Sequence, residues 1–303
     1  MKVGLIGVPT NHGCDKDGVQ YGPHKLRSSL ENTFKNENIE VEYIKDIDVE
    51  IIHKDDKFKD DQNIKYYKSI HNTNEKLANT IYEALDEGYF PIILGGDHSL
   101  GLGSISGASK YFNNLGVVWI DAHGDFNTEV VSESKNSHGM PLAFLSGYGK
   151  KELVNLYYEG TKVKEENIFH IGGRDIDTKE RELLNSTNVN LYDKSVIDTH
   201  GFKWILDDIL EKCKNQDIDA LHISFDIDFM DKHLVPGTGT RVDDGYSVEE
   251  SKYILRKLME SNMVKSMDFV EFNPLLDEKD KTLDICNELL KYFICLLSRE
   301  ICY

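Results

Sequence analysis

At 303 residues with 40% hydrophobic content, the chain is long enough to bury a substantial core, as one large α/β unit or two ordinary ones. Its 35 Lys and Arg stand against 53 Asp and Glu, a formal charge of −18 that argues against nucleic acid and anionic membrane as partners and suits a cationic ligand or a metal. No apolar run approaches the roughly 20 residues needed to span a bilayer, and five scattered cysteines without a C-x-x-C pair (Cys14, Cys213, Cys286, Cys295, Cys302) point to reduced thiols in a cytoplasm.

Residues 2–8 open the chain as a β-rich run, with no small-residue cleavage site of the signal-peptide kind. A polar loop through Gly22-Pro23 then leads to a helix over Lys25–Phe34, a β-loop-α unit. Val41–Ile44 has the pattern of a second strand, whereas residues 53–63 are dense in Lys and Asp and predict a solvated loop with little function. From Asn74, the apolar positions Leu77, Ala78, Ile81, Ala84 and Leu85 trace one helical face, Gly88 stands where a helix end favours positive φ, and a strand over Phe90–Leu94 follows. GGDHS at 95–99 turns into a helix reaching about Tyr111, residues 115–120 form a buried strand, and a loop to Pro141 gives way to helices through Tyr158. Asn167–Ile171 is a strand ending in Gly172-Gly173-Arg174-Asp175-Ile176-Asp177, Trp204–Cys213 is helical, and Ala220–Phe225 is a strand ending in Asp226-Ile227-Asp228. Ser247 and Glu250 have capping-box spacing ahead of a helix that buries Ile254, Leu255, Leu258 and Met259. A strand over Val264–Val270 ends at Glu271, and Thr282–Ser298 is the final helix. The alternation predicts a parallel sheet with helices on both faces, built as a single domain over 1–303 because no Pro/Gly/Ser-rich linker interrupts it.

His98, Asp121 to Asp125, Asp177, Asp226 to Asp228 and Glu271 all follow the C-terminal ends of predicted strands, the edge where open α/β sheets bind ligands. Asp121, His123 and Asp125 recur every second residue, so extended backbone points all three to one side. Each piece alone has an ordinary explanation: a turn for D-x-H-x-D, a helix cap for Asp97 or Ser99, a surface ion pair or cap for Asp177 and Glu180 beside Arg174, a strand stop for Glu271. Convergence of these segments on one edge favours a shared crevice. Four carboxylates (Asp121, Asp125, Asp226, Asp228) with two imidazoles (His98, His123) exceed one tetrahedral zinc site and suit a harder ion such as manganese. Two divalent ions balance four carboxylate charges, and such a pair lowers the pKa of a bridging water enough for metal-assisted hydrolysis.

GGDHS at 95–99, DAHGDFN at 121–127, NSHGMP at 136–141 and SFDIDFMD at 224–231 resemble the ureohydrolases, the arginase and agmatinase family, over a span from the first strand to the last. The resemblance implies a three-layer α/β/α fold and two Mn²⁺ ions per subunit, one on His98, Asp121, Asp125 and Asp226, the other on His123, Asp121, Asp226 and Asp228. It implies hydrolysis of a small guanidino compound by a metal-bridging hydroxide, with Glu271 orienting the guanidinium, Asp125 carrying a proton to the leaving amine and His138 exchanging protons with solvent. Asn127, Ser134 and Asn136 match positions that hold a substrate α-carboxylate, Asp177 and Glu180 match those that hold an α-amino group, and Thr240 matches one that supports the substrate end of the site. These matches favour L-arginine, giving ornithine and urea, over agmatine, which lacks the carboxylate. An agmatinase or another guanidino- or formimino-compound hydrolase on the same centre is the alternative. The family also implies a homo-oligomer, trimer or hexamer. Departures fall at Glu129, where Pro is common, at Lys135, where Gly is usual, at Lys232 and over 241–245; none removes a metal ligand.

Overall fold

The computed structural model describes residues 2–33 and 40–298; Phe34, the expected end of the first helix, and Cys302 lie outside the described residues. Eight strands form one all-parallel sheet: β1 (Lys2–Val8), β2 (Glu40–Asp46), β3 (Tyr89–Gly95), β4 (Leu115–Ile120), β5 (Ile168–Ile171), β6 (Asn190–Tyr192), β7 (Ala220–Asp226) and β8 (Val264–Val270). Their order is β2-β1-β3-β8-β7-β4-β5-β6. The central strands are buried along nearly their whole length, as near-continuous apolar runs such as LGVVWI in β4 require when helices cover both faces.

The helices are α1 (Gly22–Thr33), α2 (Tyr67–Asp86), α3 (Gly101–Tyr111), α4 (Pro141–Leu145), α5 (Lys151–Val154), α6 (Thr178–Asn185), α7 (Lys194–Asn215), α8 (Val248–Glu260) and α9 (Lys281–Ser298). Pleating sends neighbouring residues of one strand to opposite faces, so Leu5 and Ile92 pack into one core while Ile6 and Ile93 pack into the other. Leu26 of α1, Ile205 and Ile209 of α7, Leu255 of α8 and Phe293 of α9 close the first core. Leu77 and Ile81 of α2, Ile105 of α3, Leu142 of α4 and Leu153 of α5 close the second. The result is the expected three-layer α/β/α arrangement. Truncating one such fully buried Leu or Ile to Ala costs about 2–5 kcal/mol.

Several expectations need correction. α2 begins at Tyr67 rather than Asn74, because Ile70 and Thr73 extend its buried face and the buried Asn74 amide is satisfied, donating to the Ile70 carbonyl at 2.9 Å and accepting from the Gly103 N–H at 2.7 Å. α6 and β6 were not expected: α6 is a short polar helix and β6 a three-residue edge strand, both too brief for periodicity to register. α7 starts well before Trp204 and kinks at Gly201, whose φ of 75° breaks the helical pattern. The helices after Pro141 stop at Val154, short of Tyr158. Residues 53–63 hold a 3₁₀ turn over Lys54–Asp56 and dock on the N-terminal loop, with Lys54 Nζ 2.8 Å from Asp17 Oδ2 and Lys57 Nζ 2.8 Å from Asp15 Oδ2. Cys14, Cys213 and Cys286 are free thiols, but Cys295 is disulfide-bonded, against the expectation of five reduced thiols; spacing carried no signal of it.

Candidate active site

The C-terminal ends of β3, β7 and β4 bring the expected ligands together, and β8 adds Glu271 beside them. His98 opens a 3₁₀ turn after β3, held by Asp97, whose carboxylate accepts from the backbone N–H groups of Ser99 (3.0 Å) and Gly13 (2.8 Å). Its ring stacks on Trp119 with centroids 3.9 Å apart. Its Nδ1 faces Asp121 Oδ2 at 2.9 Å, Asp125 Oδ2 at 3.1 Å and Asp226 Oδ2 at 3.2 Å. On the other side of Asp121, His123 Nδ1 lies 3.1 Å from Asp228 Oδ2 and 3.5 Å from Asp121 Oδ1. Ligand atoms of His98, Asp121 and Asp226 lie within 4.8 Å of one another, as do those of Asp121, His123 and Asp228, so Asp121 is common to both groups.

One expectation about this segment changes. β4 ends at Ile120, and Asp125 sits at φ 49°, in the left-handed region, so the D-x-H-x-D run is not extended. The backbone curls after His123, and it is the curl that turns Asp125 toward His98.

The electrostatics fit a cation site. Burial pushes the Asp125 carboxyl up to about 7, with the Asp121 charge adding to it. Burial, then Asp228 and Asp121, drive Asp226 well above the carboxylate range. Burial opposes ionisation of Asp121 too, but His123 and His98 outweigh it and hold Asp121 well below that range. The His98 ring would be depressed by burial, yet the three carboxylates around it raise it well above its ordinary value. Despite those three oxygens, the buried Nδ1 makes no hydrogen bond of adequate geometry. A nitrogen and several carboxylate oxygens aimed at one point, with mutually repelling charge, are what divalent cations satisfy. The residues present therefore fit divalent cations, in two groups that share Asp121.

Behind the ligands runs a buried polar ladder. β7 alternates Leu221, Ile223 and Phe225 toward the apolar core with His222, Ser224 and Asp226 on its other face, and β8 sets Ser266 and Asp268 opposite His222 and Ser224. His98 Nε2 meets Ser224 Oγ at 2.8 Å; Ser224 Oγ donates to Asp268 Oδ2 at 3.3 Å, and Ser104 Oγ donates to the same oxygen at 2.6 Å. His222 Nε2 lies 3.0 Å from that carboxylate. Such outer hydrogen bonds fix ring orientation in ligating histidines. Sequence reasoning passed over Ser224, Asp268 and Ser104, although polar residues at alternate positions of buried strands are a readable signal.

Above the ligands a cavity of about 270 Å³ is lined by His123, Asp125, Asn127, Ser134, Asn136, His138, Asp177, Glu180, Asp226 and Thr240, with Ser132 and Asp175, which were not anticipated. Glu271, only 2% exposed and at φ 66°, accepts from the His98 N–H at 2.9 Å and lies 3.1 Å from His138 Nδ1 through the same Oε1. Burial would lower the His138 imidazole, but Glu271 raises it. Asp177 and Glu180 head α6 as a capping box: Glu180 accepts from the backbone N–H groups of Phe126 (2.8 Å) and Asp177 (3.2 Å), and burial pushes its carboxyl up to about 8. Asn127 Nδ2 donates to Asp177 Oδ2 at 3.3 Å. Arg174 pairs with neither of them; its guanidinium donates to the carbonyls of Asp228 (2.7 Å) and Asp243 (2.9 Å). Thr240 Oγ1 donates to Asp228 Oδ2 at 2.9 Å, so this residue of the cavity lining is also tied to the ligand cluster.

The departures from the family pattern turn out to be local ties. Lys135 adopts φ 60°, the left-handed backbone that explains the usual Gly there, and its Nζ donates to the Glu129 carbonyl at 2.9 Å. The Glu129 carboxylate accepts from the Lys150 N–H at 3.0 Å.

Comparison with known proteins agrees with this geometry. A model described as the arginase family matches residues 1–295. An arginase of Staphylococcus aureus (strain MSSA476) is 38% identical over 292 residues, 96% of this chain and 96% of that one. Among solved structures, the arginase of Bacillus caldovelox superposes with a TM-score of 0.90 at 33% identity, covering 97% of this chain and 98% of its own. An Entamoeba histolytica arginase in complex with L-ornithine superposes with a TM-score of 0.87 at 32% identity, covering 97% of each chain.

Proposed function

The chain belongs to the arginase family, and from that premise we propose that it hydrolyses the guanidino group of L-arginine to ornithine and urea with two Mn²⁺ ions per subunit. The ions would be held by His98, Asp121, Asp125 and Asp226, and by His123, Asp121, Asp226 and Asp228. When bound, such ions supply Lewis acidity and a nucleophilic water of lowered pKa.

The chain's own residues do the rest. Glu271 presents buried negative charge to the guanidinium and orients its trigonal carbon for attack on one face. The same carboxylate holds His138 at Nδ1, which leaves the other ring nitrogen to exchange a proton between the cavity and solvent. Asp125 carries a proton toward the leaving nitrogen, which departs as the neutral amine of ornithine. Thr240 fixes the Asp228 carboxylate, and Ser224 fixes the His98 ring. Asn127, Ser134 and Asn136 receive the α-carboxylate, while Asp177 and Glu180 draw the α-ammonium.

The observation that carries this reading is the lining of the cavity: amide and hydroxyl groups of Asn127, Ser132, Ser134 and Asn136 together with the carboxyl groups of Asp175, Asp177 and Glu180, all above the ligand cluster. A free amino acid needs both kinds of group, and a decarboxylated amine needs only the acidic ones. The L-ornithine held by the Entamoeba histolytica relative is the product proposed here. Urea release from L-arginine, agmatine and guanidinobutyrate, and formamide release from formiminoglutamate, at matched Mn²⁺, test the assignment. L-arginine is expected to be the best substrate, and absence of urea from it would remove the reading.

A further inference from the structure

We infer that Lys65 is a specificity-determining positioning residue: its ammonium locks the Asn136 amide so that an N–H donor, backed by positive charge, faces the head group of a carboxylate-bearing substrate. The inference rests on the reading of this cavity as a site for an amino acid with a guanidino side chain.

The chemistry of the partners fixes which end of the amide is which. Lys65 Nζ, which can only donate, lies 2.8 Å from Asn136 Oδ1, and the Cys14 carbonyl, which can only accept, lies 3.1 Å from Asn136 Nδ2. With its oxygen committed to a cation, the side chain offers the cavity its remaining N–H. Lys65 is itself held from behind by Asp15 Oδ2 at 3.0 Å, with both side chains largely buried. Asp15 also accepts from Lys57 Nζ (2.8 Å) and Tyr66 OH (3.0 Å). Burial would raise the Asp15 carboxyl, but Lys57, Lys65 and Tyr66 keep it below its ordinary value, so it stays ionised and the anchor holds at neutral pH. The Lys65 backbone N–H also donates to the Lys135 carbonyl at 3.1 Å, so one residue grips the substrate loop twice.

Charge decides what the grip does. Lys57 and Lys65 against Asp15 leave one positive charge behind the Asn136 amide, in a chain of net charge −18. Lys135, nearer in sequence, is turned to a backbone carbonyl instead. A carboxylate docking on Asn136 gains both the oriented donor and the field of Lys65, whereas an amine lacking the carboxylate gains neither.

The test uses the full-length, manganese-loaded chain with L-arginine and agmatine as substrates, comparing the unsubstituted protein with Lys65→Met and Lys65→Arg. For Lys65→Met the expected result is a KM for L-arginine raised by about 10- to 100-fold, the range for losing a hydrogen bond supported by charge. Its kcat and its KM for agmatine stay within about two-fold of the unsubstituted values on the same argument, and Lys65→Arg recovers most of the loss. If Lys65→Met does not fold, Asp15→Asn, which keeps Lys65 but weakens its anchor, gives the same split in smaller measure. An equal rise in KM for both substrates, or no change in either, overturns the inference while leaving the substrate assignment intact. An unsubstituted protein that prefers agmatine overturns both.

Discussion

On the floor of the cavity, His98, Asp121, Asp226 and Asp228 stand at or just past strand ends, buried and backed by a polar ladder inside the sheet. Along the rim, Ser134 and Asn136 hang on a loop held by its own Lys135 and Glu129 and by Lys65 from a distant part of the chain. A sheet edge gives ligands fixed spacing at no cost in loop ordering, which suits groups that must hold ions to within a fraction of an ångström. Loops tolerate exchange of residues, which suits the part that selects among substrates sharing one reacting group. On the proposed function, the floor carries the reaction and the rim carries the choice.

Substitutions should separate the two regions. Asp226→Ala removes a ligand from the floor and is expected to lose bound manganese and to lower kcat/KM by about a thousand-fold or more, about 4 kcal/mol of transition-state stabilisation. Metal analysis of the purified variant checks it, and a fully metallated, active Asp226→Ala protein would break the division. One layer behind, Ser224→Ala should weaken manganese binding by about 10- to 100-fold, the usual effect of removing an outer partner of a ligating histidine. Chelator competition measures this; unchanged affinity would mean that the ladder only packs the sheet.

At the rim, Asp177→Ala should keep its full manganese content while raising the KM for L-arginine by about ten-fold, since it removes one charged partner of the α-ammonium. A loss of metal in this variant would show that α6 supports the floor as well. The smallest effect belongs to Lys135→Gly. Glycine relieves a left-handed backbone of about 1 kcal/mol but gives up the bond to the Glu129 carbonyl, worth about as much, so melting temperature and KM should hardly move.

The same contrast explains what could be read from the sequence. His98, Asp121 and Asp226 were legible because apolar strands announce themselves and ligands follow their ends. Ser224 and Asp268 were legible in principle, by alternation along β7 and β8, but each looked like an ordinary interruption of a strand. The rim was legible only as residue types. Nothing local links Lys65 to Asn136, which are 71 residues apart and meet because two loops cross. Nor does D-x-H-x-D spacing reveal that Asp125 leaves the extended conformation, since a left-handed residue other than Gly carries no strong sequence mark. The capping role of Glu180 was visible as a pattern with Asp177, yet whether those carboxyl groups also face a ligand depended on a cavity that only the fold creates.

The most direct test counts manganese bound per chain by equilibrium dialysis and follows urea release from L-arginine on the same samples as the ions are added. Two ions per chain, with urea appearing as they fill, is the predicted result. One ion at saturation, or a filled chain that releases no urea from L-arginine, would contradict it.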